Sequence, residues 1–325
     1  MEHPNTYDTV CGQDVVRAGM CLSEGKVVAI PTETVYGLAC NAFDEFAVAE
    51  VFRRKNRPSF DPLIVHVSSI KDAYKLCASI PEKARILMET FWPGPLTLLL
   101  PKTELIPDLV TSGLPSVGLR MPAHPLTLDL LSKLPFPLAA PSANPFGYIS
   151  PTSAEHVLSH FNGQIPYVLD GGPCTVGVES TIVGFENNTP VIYRLGGITV
   201  ESISEIIGAV NINTHVGSKP SAPGMLKSHY APSIPLYIGN AQEYTGLLGD
   251  GKGANIVLEQ QPHVDGFDTF VLSEKGDPSD AARNLFKVMR QIDNSNYRLV
   301  VAEKFPDYGL FRAINDRLAR AAAHD

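Results

Sequence analysis

Four positively charged side chains lie within five residues, in the segment Arg53-Arg-Lys-Asn-Arg57. Because these cations repel one another, a bound anion would relieve the repulsion, and a phosphorylated ligand is the natural candidate. The alternative is the solvated last turn of a helix, where cations interact favourably with the helix dipole. Pro58 follows the cluster and would end that helix.

Polar side chains also stand at the ends of predicted buried strands. The segment Pro31-Thr-Glu-Thr34 follows the apolar run 26–30, and hydroxyls buried there need hydrogen-bond partners. The alternative is a strand end that turns at Gly37. Arg120 ends the predicted strand 116–120, a position from which a guanidinium can bind a carboxylate with two hydrogen bonds. The alternative for Arg120 is a surface salt bridge.

Three further segments place ligand-type side chains beside strands. Ser142 and Asn144 follow the apolar residues 138–140, where they either present a hydroxyl and an amide to a ligand or cap a turn. Residues 179–183 place a carboxylate and two hydroxyls at a strand start. His66 lies inside an apolar strand pattern and is typical of a hydrogen-bonded sheet histidine. The sequence has no nucleophile elbow, H-E-x-x-H motif or Walker A loop.

The elements that would position these groups are strands and helices in alternation. Apolar runs at 26–30, 63–67 and 96–100 predict buried strands, and the apolar spacing in 44–55 predicts an amphipathic helix capped by Asp44. Such a mixture predicts an α/β or α+β core around one dominant sheet.

A second, smaller domain is predicted after a linker. Residues 211–224 lack apolar periodicity and are rich in small and polar residues, which is typical of a linker. Strands then alternate with helices over about 90 residues, as in a small Rossmann-like parallel sheet. Its first strand is not followed by G-x-G-x-x-G, so we assign it no dinucleotide. The predicted division is 1–208, a linker over 209–233, and 234–325.

Composition excludes several classes of protein. The 325 residues are 44% hydrophobic and 18% charged, which argues against disorder. The net charge of −8 counts against a broad nucleic-acid surface. The five cysteines are scattered and include no C-x-x-C pair, so we read them as reduced thiols. We see neither a secretory signal nor an apolar run long enough for a membrane helix, and we expect a cytoplasmic protein with no membrane association.

Taken together, the motifs resemble those of the YrdC-type threonylcarbamoyl-AMP synthases, in their long two-domain form. The matching segments are KVVAIPTETVYGL at 26–38, KNRP at 55–58, PLIVH at 62–66, FWPGPLT at 91–97, 117–122, 139–144 and 177–183. The linker signatures at 221–225 and 229–232, and the tail segments 281–286 and 313–318, resemble the long form. The resemblance implies a twisted mixed-sheet α/β YrdC-like domain followed by a small Rossmann-like open-sheet domain.

The resemblance also implies a reaction. Such enzymes combine L-threonine, bicarbonate or carbon dioxide, and ATP, and they release pyrophosphate and threonylcarbamoyl-adenylate. A separate transferase complex then passes the threonylcarbamoyl group to an adenosine beside the tRNA anticodon, so tRNA is an indirect acceptor. The threonine carbamate is already an anion, so cations and Mg²⁺ bound with ATP should do most of the catalytic work. A nucleophilic side chain is then unnecessary, in agreement with the missing triad.

The resemblance assigns roles to individual positions, with the metal ligands left open. The catalytic contacts to phosphate and metal are expected from Lys55, Arg57, Ser142 and Asn144. The threonine pocket is expected from Thr34, His66, Arg120, the backbone of Ala140, and Ser180. The nucleotide side is expected from Arg57, Asp61, Ser116, Ser142, Ser150, Arg194 and Tyr230. Because Tyr230 lies in the linker, that segment is predicted to fold over the pocket as a lid.

Two positions depart from the family pattern, and two other functions compete with this one. Asp61 stands where asparagine is common, and its charge should weaken phosphate binding unless it faces Mg²⁺ or the ribose. Ser116 stands where threonine is common, and it keeps the hydroxyl. One competing function is an RNA-binding module that grips phosphates through residues 53–57. The other is a carbamoyl-adenylating domain of the hydrogenase-maturation type, whose zinc-finger cysteine pairs are absent from this sequence.

Overall fold

A computed structural model describes residues 6–214, 225 and 228–323. Its first sheet contains the strands Val10–Gly12 (β1), Val28–Ile30 (β2), Gly37–Asn41 (β3), Ile64–His66 (β4), Leu96–Pro101 (β5), Ser116–Arg120 (β6), Leu138–Ala139 (β7), Tyr167–Leu169 (β8), Thr181–Glu186 (β9), Thr189–Arg194 (β10) and Asn211–Ile212 (β11). A second sheet contains Leu236–Ile238 (β12), Lys252–Val257 (β13), Phe267–Val271 (β14) and Tyr297–Ala302 (β15). The predicted fold class is confirmed: a mixed α/β sheet is followed by a separate, smaller parallel sheet.

Helices cover both sheets. In chain order they are Val15–Ser23 (α1), Glu45–Lys55 (α2), Ile70–Leu76 (α3), Glu82–Phe91 (α4), Asp108–Thr111 (α5), Pro125–Lys133 (α6), Ala154–Phe161 (α7), Val200–Ile207 (α8), Pro278–Asp293 (α9) and Phe311–Ala321 (α10), with a 3-10 helix at Ala241–Leu247. The cap predicted for α2 is confirmed, because the Asp44 carboxylate accepts hydrogen bonds from the backbone N–H groups of Phe46 and Ala47. None of the helices in the described ranges is long and apolar enough to cross a membrane.

The first sheet brings distant segments together at its centre. Its strand order is β1-β8-β2-β3-β7-β4-β6-β5-β9-β10-β11. The parallel pair β4 and β6 sets His66 beside Arg120 in register. Strand β7 is paired with β4 in the antiparallel direction, and the segment 140–144 follows directly after its last residue, Ala139. The segments assigned to the site therefore leave neighbouring central strands.

Two strands differ from the sequence expectation. A turn at Gly37 is one of the two expectations from the sequence, but Gly37 is instead the first residue of β3. This strand pairs with β2 so that Ile30 lies opposite Gly37. Close packing explains the glycine, since a Cβ there would lie 3.2 Å from that of Ala140. The first sheet also extends into the predicted linker, because β11 pairs with β10 at its edge. The linker signature residues 221–224 lie outside the described residues.

The two domains share apolar packing. Val35, Ile149 and Val178 of the first domain belong to the same buried cluster as Phe286 of α9 and Phe311 of α10. The backbones also approach closely, since a Cβ at Gly177 would lie 2.4 Å from the Cα of Arg283 in α9. Gly177 has φ of +82°, so both its conformation and its contact require glycine. The second domain is thus packed against the loop that leads into β9.

Candidate active site

A narrow pocket opens where the central strands end. Its free space is about 50 Å³, far below the roughly 300–1,000 Å³ of a typical ligand pocket. Its walls are Thr32, Val35, Gly37, Arg57, Pro62, Ile64, His66, Arg120, Ala140, Pro141, Ser142, Glu179, Arg194, His229 and Tyr230. Seven of the residues predicted for the site are among them: Arg57, His66, Arg120, Ala140, Ser142, Arg194 and Tyr230.

Lys55 is turned into the protein at the end of α2. It is 1% exposed, and its ammonium donates hydrogen bonds to the carbonyls of Ser142 and Asn144. Burial and the neighbouring Arg57 lower the pKa of Lys55 well below its ordinary value. An anion beside this ammonium would favour the charged form. The lysine therefore ties the loop 141–144 to the cation cluster.

Arg57 is also buried, because Asn56 ends α2 in the left-handed conformation and redirects the chain. Its guanidinium lies 2.9 Å from the Asp61 carboxylate and donates to the carbonyl oxygens of Asp61 and Pro62. The solvated helix end considered from the sequence is wrong for Lys55 and Arg57. It holds for Arg53, whose side chain is 54% exposed and paired with Glu50.

Asp61 and Asn144 supply the side-chain oxygen atoms of the site that are best suited to bind a metal ion. Oδ2 of Asp61 is ion-paired with Arg57 at 2.9 Å, whereas Oδ1 of Asp61 and Oδ1 of Asn144 are buried and accept no hydrogen bond from the described residues. The Asn144 amide nitrogen is fixed by the carbonyls of Pro145 and Tyr148, each at 2.8 Å. Burial raises the pKa of Asp61, although the charge of Arg57 opposes the shift. Because Mg²⁺ prefers oxygen ligands, a cation held with phosphates would satisfy these atoms.

Arg120 and Glu33 form a buried ion pair at the end of β6. The guanidinium Nη2 lies 2.7 Å from Glu33 Oε1, and Glu33 Oε2 accepts a hydrogen bond from the Ala123 backbone. The Nε of Arg120 and the Nδ1 of His66 have no hydrogen-bond partner among the described residues. Burial and the charge of Arg120 lower the pKa of His66 to about 3, so its imidazole is neutral at pH 7. The surface salt bridge considered for Arg120 is wrong.

Hydroxyl groups form two separate hydrogen-bonded groups beside the pocket. Ser180 Oγ lies 2.7 Å from Thr97 Oγ1 and accepts a hydrogen bond from the Arg194 guanidinium at 3.0 Å. Thr34 Oγ1 lies 2.8 Å from Thr32 Oγ1. All of these side chains are buried. Thr34 and Ser180 therefore lie behind the pocket wall, held by neighbours that face it.

A second carboxylate links the pocket to the C-terminal domain. Glu179 Oε1 accepts a hydrogen bond from Ser150 at 2.5 Å, and Glu179 Oε2 accepts one from Arg317 of α10 at 2.8 Å. Burial opposes ionisation, yet the positive charges of Arg317 and Arg194 hold the pKa of Glu179 below its ordinary value. The Arg317 guanidinium also lies over the Tyr230 ring, 5.0 Å from its centroid.

The linker residues His229 and Tyr230 form part of the pocket wall. Tyr230 is 1% exposed, has φ of +65°, and packs on Phe286 with ring centroids 5.6 Å apart. The His229 ring contacts those of Phe146 and Tyr230, and burial lowers its pKa well below the ordinary value. Both rings are thus held in the wall of the pocket by aromatic contacts.

Ser116 is not brought to the pocket. It lies at the opposite end of β6 from Arg120 and lines a separate groove with Leu99 and Tyr193. Its nucleotide role stays a prediction.

Sequence reasoning assigned no role to Glu179 and His229, which line the pocket, or to Glu33 and Arg317, which form ion pairs with pocket residues. Glu33, Glu179 and His229 lie in the motifs that carry the family resemblance, next to residues with an assigned role. Their place in these motifs is the sequence signal that could have identified them. Arg317 lies far from the others in sequence, and its partner is set only by tertiary packing.

Comparison with known proteins agrees with this architecture. The family model described as "Telomere recombination", for Sua5, YciO and YrdC, matches residues 20–196, and the model described as "Threonylcarbamoyl-AMP synthase, C-terminal domain" matches residues 198–323. A threonylcarbamoyl-AMP synthase of Pyrococcus abyssi is 40% identical over 93% of this chain and 92% of its own length. One of Bacillus subtilis is 41% identical over 95% and 92%.

Solved structures give the same result. The P. abyssi Sua5 complexed with L-threonine has a TM-score of 0.90 at 38% identity and covers 97% of each chain. A full-length HypF in a phosphate- and nucleotide-bound form has a TM-score of 0.51 at 26% identity, covering 57% of this chain and 29% of its own. The two matching domains, in their order and over nearly the whole chain, place this protein in the Sua5/YciO/YrdC family, in its two-domain threonylcarbamoyl-AMP synthase form.

Proposed function

We propose that this protein is an L-threonylcarbamoyladenylate synthase, a nucleotidyltransferase that uses L-threonine, bicarbonate or carbon dioxide, and ATP. The observation that carries the proposal is the convergence of Arg57, Arg120 and Arg194 with the hydroxyl of Ser142 around one pocket. Such a pocket suits two anionic reactants that repel each other in water. The resemblance to proteins named for this activity supports the same conclusion.

The reaction needs little covalent help from the protein. The neutral threonine amine adds to carbon dioxide and loses a proton to water to give a carbamate anion, and a carbamate oxygen attacks the α-phosphorus of ATP. A new oxygen–phosphorus bond forms while the bond to the β-phosphate breaks, and pyrophosphate leaves. Catalysis then rests on positioning and on stabilising charge at the phosphorus. Buried guanidinium groups do this strongly, because they replace water with fixed positive charge.

The threonine end of the pocket is assigned to Arg120. A substrate carboxylate would accept hydrogen bonds from its guanidinium, whose Nε has no partner among the described residues. Glu33 pairs with Nη2 of the same guanidinium and so fixes its orientation. The neutral imidazole of His66 is suited to accept a hydrogen bond from the substrate. Thr34, Ser180 and the backbone of Ala140 complete the proposed pocket.

The nucleotide end is assigned to the residues around Arg57 and Ser142. Lys55, Arg57, Ser142 and Asn144 would contact the phosphates, and Ser150, Arg194 and Tyr230 would hold the rest of the nucleotide. Bound Mg²⁺ would neutralise phosphate charge. Oδ1 of Asp61 and Oδ1 of Asn144 are the oxygens proposed to hold it, because both are buried and neither accepts a hydrogen bond from the described residues. This position for Mg²⁺ would reconcile the negative charge of Asp61 with phosphate binding.

Entry of ATP requires the linker to move. The pocket leaves about 50 Å³ free with His229 and Tyr230 in place, so we propose that these residues form a lid. Opening would admit both substrates, and closing would exclude water from the carbamate and the adenylate. The contacts of Tyr230 with Phe286 and Arg317 would hold the closed state.

The product is proposed to serve tRNA modification in the cytoplasm. A separate transferase complex would move the threonylcarbamoyl group to the adenosine next to the anticodon. RNA binding through residues 53–57 is disfavoured, because Lys55 and Arg57 are buried and paired inside the protein.

The decisive experiment measures pyrophosphate release by the purified full chain with ATP and Mg²⁺. We expect release only when L-threonine and bicarbonate are both present. Replacing L-threonine with D-threonine, and omitting bicarbonate from degassed buffer, are the matched controls. Release that is independent of either substrate, or its complete absence, contradicts the proposal. A threonylcarbamoyl-adenylate mass detected in the quenched mixture distinguishes synthesis from simple ATP hydrolysis.

A further inference from the structure

A second cleft lies in the C-terminal domain, away from the pocket described above. It has a volume of about 640 Å³, within the range of small-molecule sites. Its lining comes from the segments that follow β12, β13 and β15 and from the end of β13: Gly239, Asn240, Ala241, Gln242, Asn255, Val257, Gln261, Pro262, His263, Val264, Glu303 and Lys304. The carboxyl ends of the strands in an open parallel sheet are where such folds bind ligands.

The two faces of this sheet are covered unequally. Ala254 and Ile256 pack in the large cluster that includes α9 and α10. Leu299 and Val301 face a small cluster with Ala241 and Leu248 of the 3-10 helix region. Asn255 pairs in register with Val301 and therefore points to this thinly covered face. The cleft opens on that face.

Asn255 is an unusual residue type for its position in the sheet. It lies in the central strand β13, where asparagine is disfavoured, and it is 6% exposed. Its carboxamide makes no hydrogen bond with any described residue, and Asn255 borders the cleft, so the amide is free to bind a molecule there. Valine would suit the strand better. The polar atoms of this side chain border the cleft, so a ligand there would satisfy them.

The remaining lining identifies the class of ligand. Ala241, Val257 and Val264 give apolar walls, and the only carboxylate in the lining, Glu303, accepts a hydrogen bond from the Leu258 backbone at 2.5 Å. The described residues contain no cluster of three metal-ligating side chains. Lys304 and His263 are the basic side chains of the lining and Glu303 is its carboxylate, so the cleft has neither the cluster of cations typical of a phosphate site nor the carboxylate cluster that binds divalent cations.

A carboxamide presents a donor and an acceptor side by side, which matches the N6 and N7 edge of adenine. Apolar walls suit the faces of a flat ring. We propose that this cleft binds an adenine nucleoside, with Asn255 contacting the edge of the base. The site is separate from the proposed catalytic pocket and does not require the phosphates of ATP.

The test is calorimetric titration of the full chain with adenosine, cytidine and inorganic phosphate as separate probes. We expect adenosine to bind, and Asn255→Val to weaken adenosine binding at least tenfold. Asn255→Asp keeps the shape of the side chain and removes the donor, so it should also weaken binding. Asn296→Val is the matched control, because Asn296 is an exposed asparagine of the same domain, and it should bind adenosine as the unchanged protein does.

The outcomes separate this proposal from the catalytic one. Asn255→Val should melt at the same or a higher temperature, because it loses no hydrogen bond, and should keep full pyrophosphate release. Adenosine affinity that is unchanged in Asn255→Val would place the ligand elsewhere and overturn the proposal. Absence of adenosine binding at millimolar concentration, or equal binding of cytidine, would also overturn it. None of these results depends on whether the first pocket makes threonylcarbamoyl-adenylate.

Discussion

Glu179 of the N-terminal domain and Arg317 of the C-terminal domain form an ion pair of 2.8 Å in which the arginine side chain is fully buried. The same carboxylate accepts a hydrogen bond from Ser150 and lines the pocket. The same guanidinium donates to the carbonyl of Leu195 and lies over Tyr230. One residue of the second domain thus contacts both a pocket wall and the proposed lid.

Removal of the arginine should destabilise the protein. Arg317→Gln leaves the Glu179 carboxylate buried without its partner, which costs about 3–5 kcal/mol for a buried pair. Denaturant unfolding of the full chain measures this loss. The control is Arg312→Gln, which breaks partly exposed pairs with Glu201 and Asp307 and should cost about 1 kcal/mol or less. Equal losses in the two variants would show that the burial of the pair has no energetic consequence.

The cation cluster provides a matched pair of variants. Lys55→Met keeps the stem of the side chain and removes the ammonium, so it should lower the rate of pyrophosphate release by about 100-fold or more. Arg53→Met changes an exposed residue two positions away, and we expect its rate to stay within about twofold of the unchanged protein. A Lys55→Met rate close to that of Arg53→Met would remove Lys55 from the phosphate site.

The buried histidine predicts a pH dependence of stability. The folded state does not bind a proton on His66 until the pH falls to about 3, whereas the unfolded state binds one below its ordinary pKa of 6.5. The unfolded state therefore gains protons first, and the free energy of unfolding should fall as the pH drops from about 6.5 toward 3. The slope from one group is about 1.4 kcal/mol per pH unit.

The His66→Gln variant isolates this contribution. Its free energy of unfolding should depend less steeply on pH than that of the unchanged protein below pH 6.5. Above about pH 7.5 the difference between the two proteins should be constant, because neither state binds a proton at this position. Parallel curves across the whole acid range would mean that His66 is not held neutral by the fold.

The local features of the fold could be predicted from the sequence, but its long-range pairs could not. Asp44 caps α2 through its own neighbours, and apolar runs mark strands, so short windows are sufficient for both. Glu33 and Arg120 are 87 residues apart, and Glu179 and Arg317 are 138 apart. No local pattern specifies such partners, because they depend on strand order and domain packing.

The same distinction holds within the site. Resemblance located Arg57, Arg120 and Ser142, which share the pocket. It also named Ser116, whose strand β6 carries it to the far end from Arg120. A motif fixes a residue's place in the chain, whereas the direction of the strand decides which end of it reaches the ligand. That direction follows from the sheet topology and is not visible in the motif.

Arg120 should control the threonine requirement and leave the ATP requirement almost unchanged. Arg120→Ala removes one member of a desolvated charge pair, a loss of about 2–5 kcal/mol, which corresponds to a rise of roughly 30-fold or more in the KM for threonine. Steady-state pyrophosphate release at varied threonine and at varied ATP measures both values. Glu33→Gln keeps the shape of the partner and removes its charge, so it should raise the KM for threonine less than Arg120→Ala does. If Arg120→Ala raised the KM for ATP instead, the guanidinium would contact the nucleotide. The threonine and nucleotide ends of the pocket would then have to be assigned the other way round.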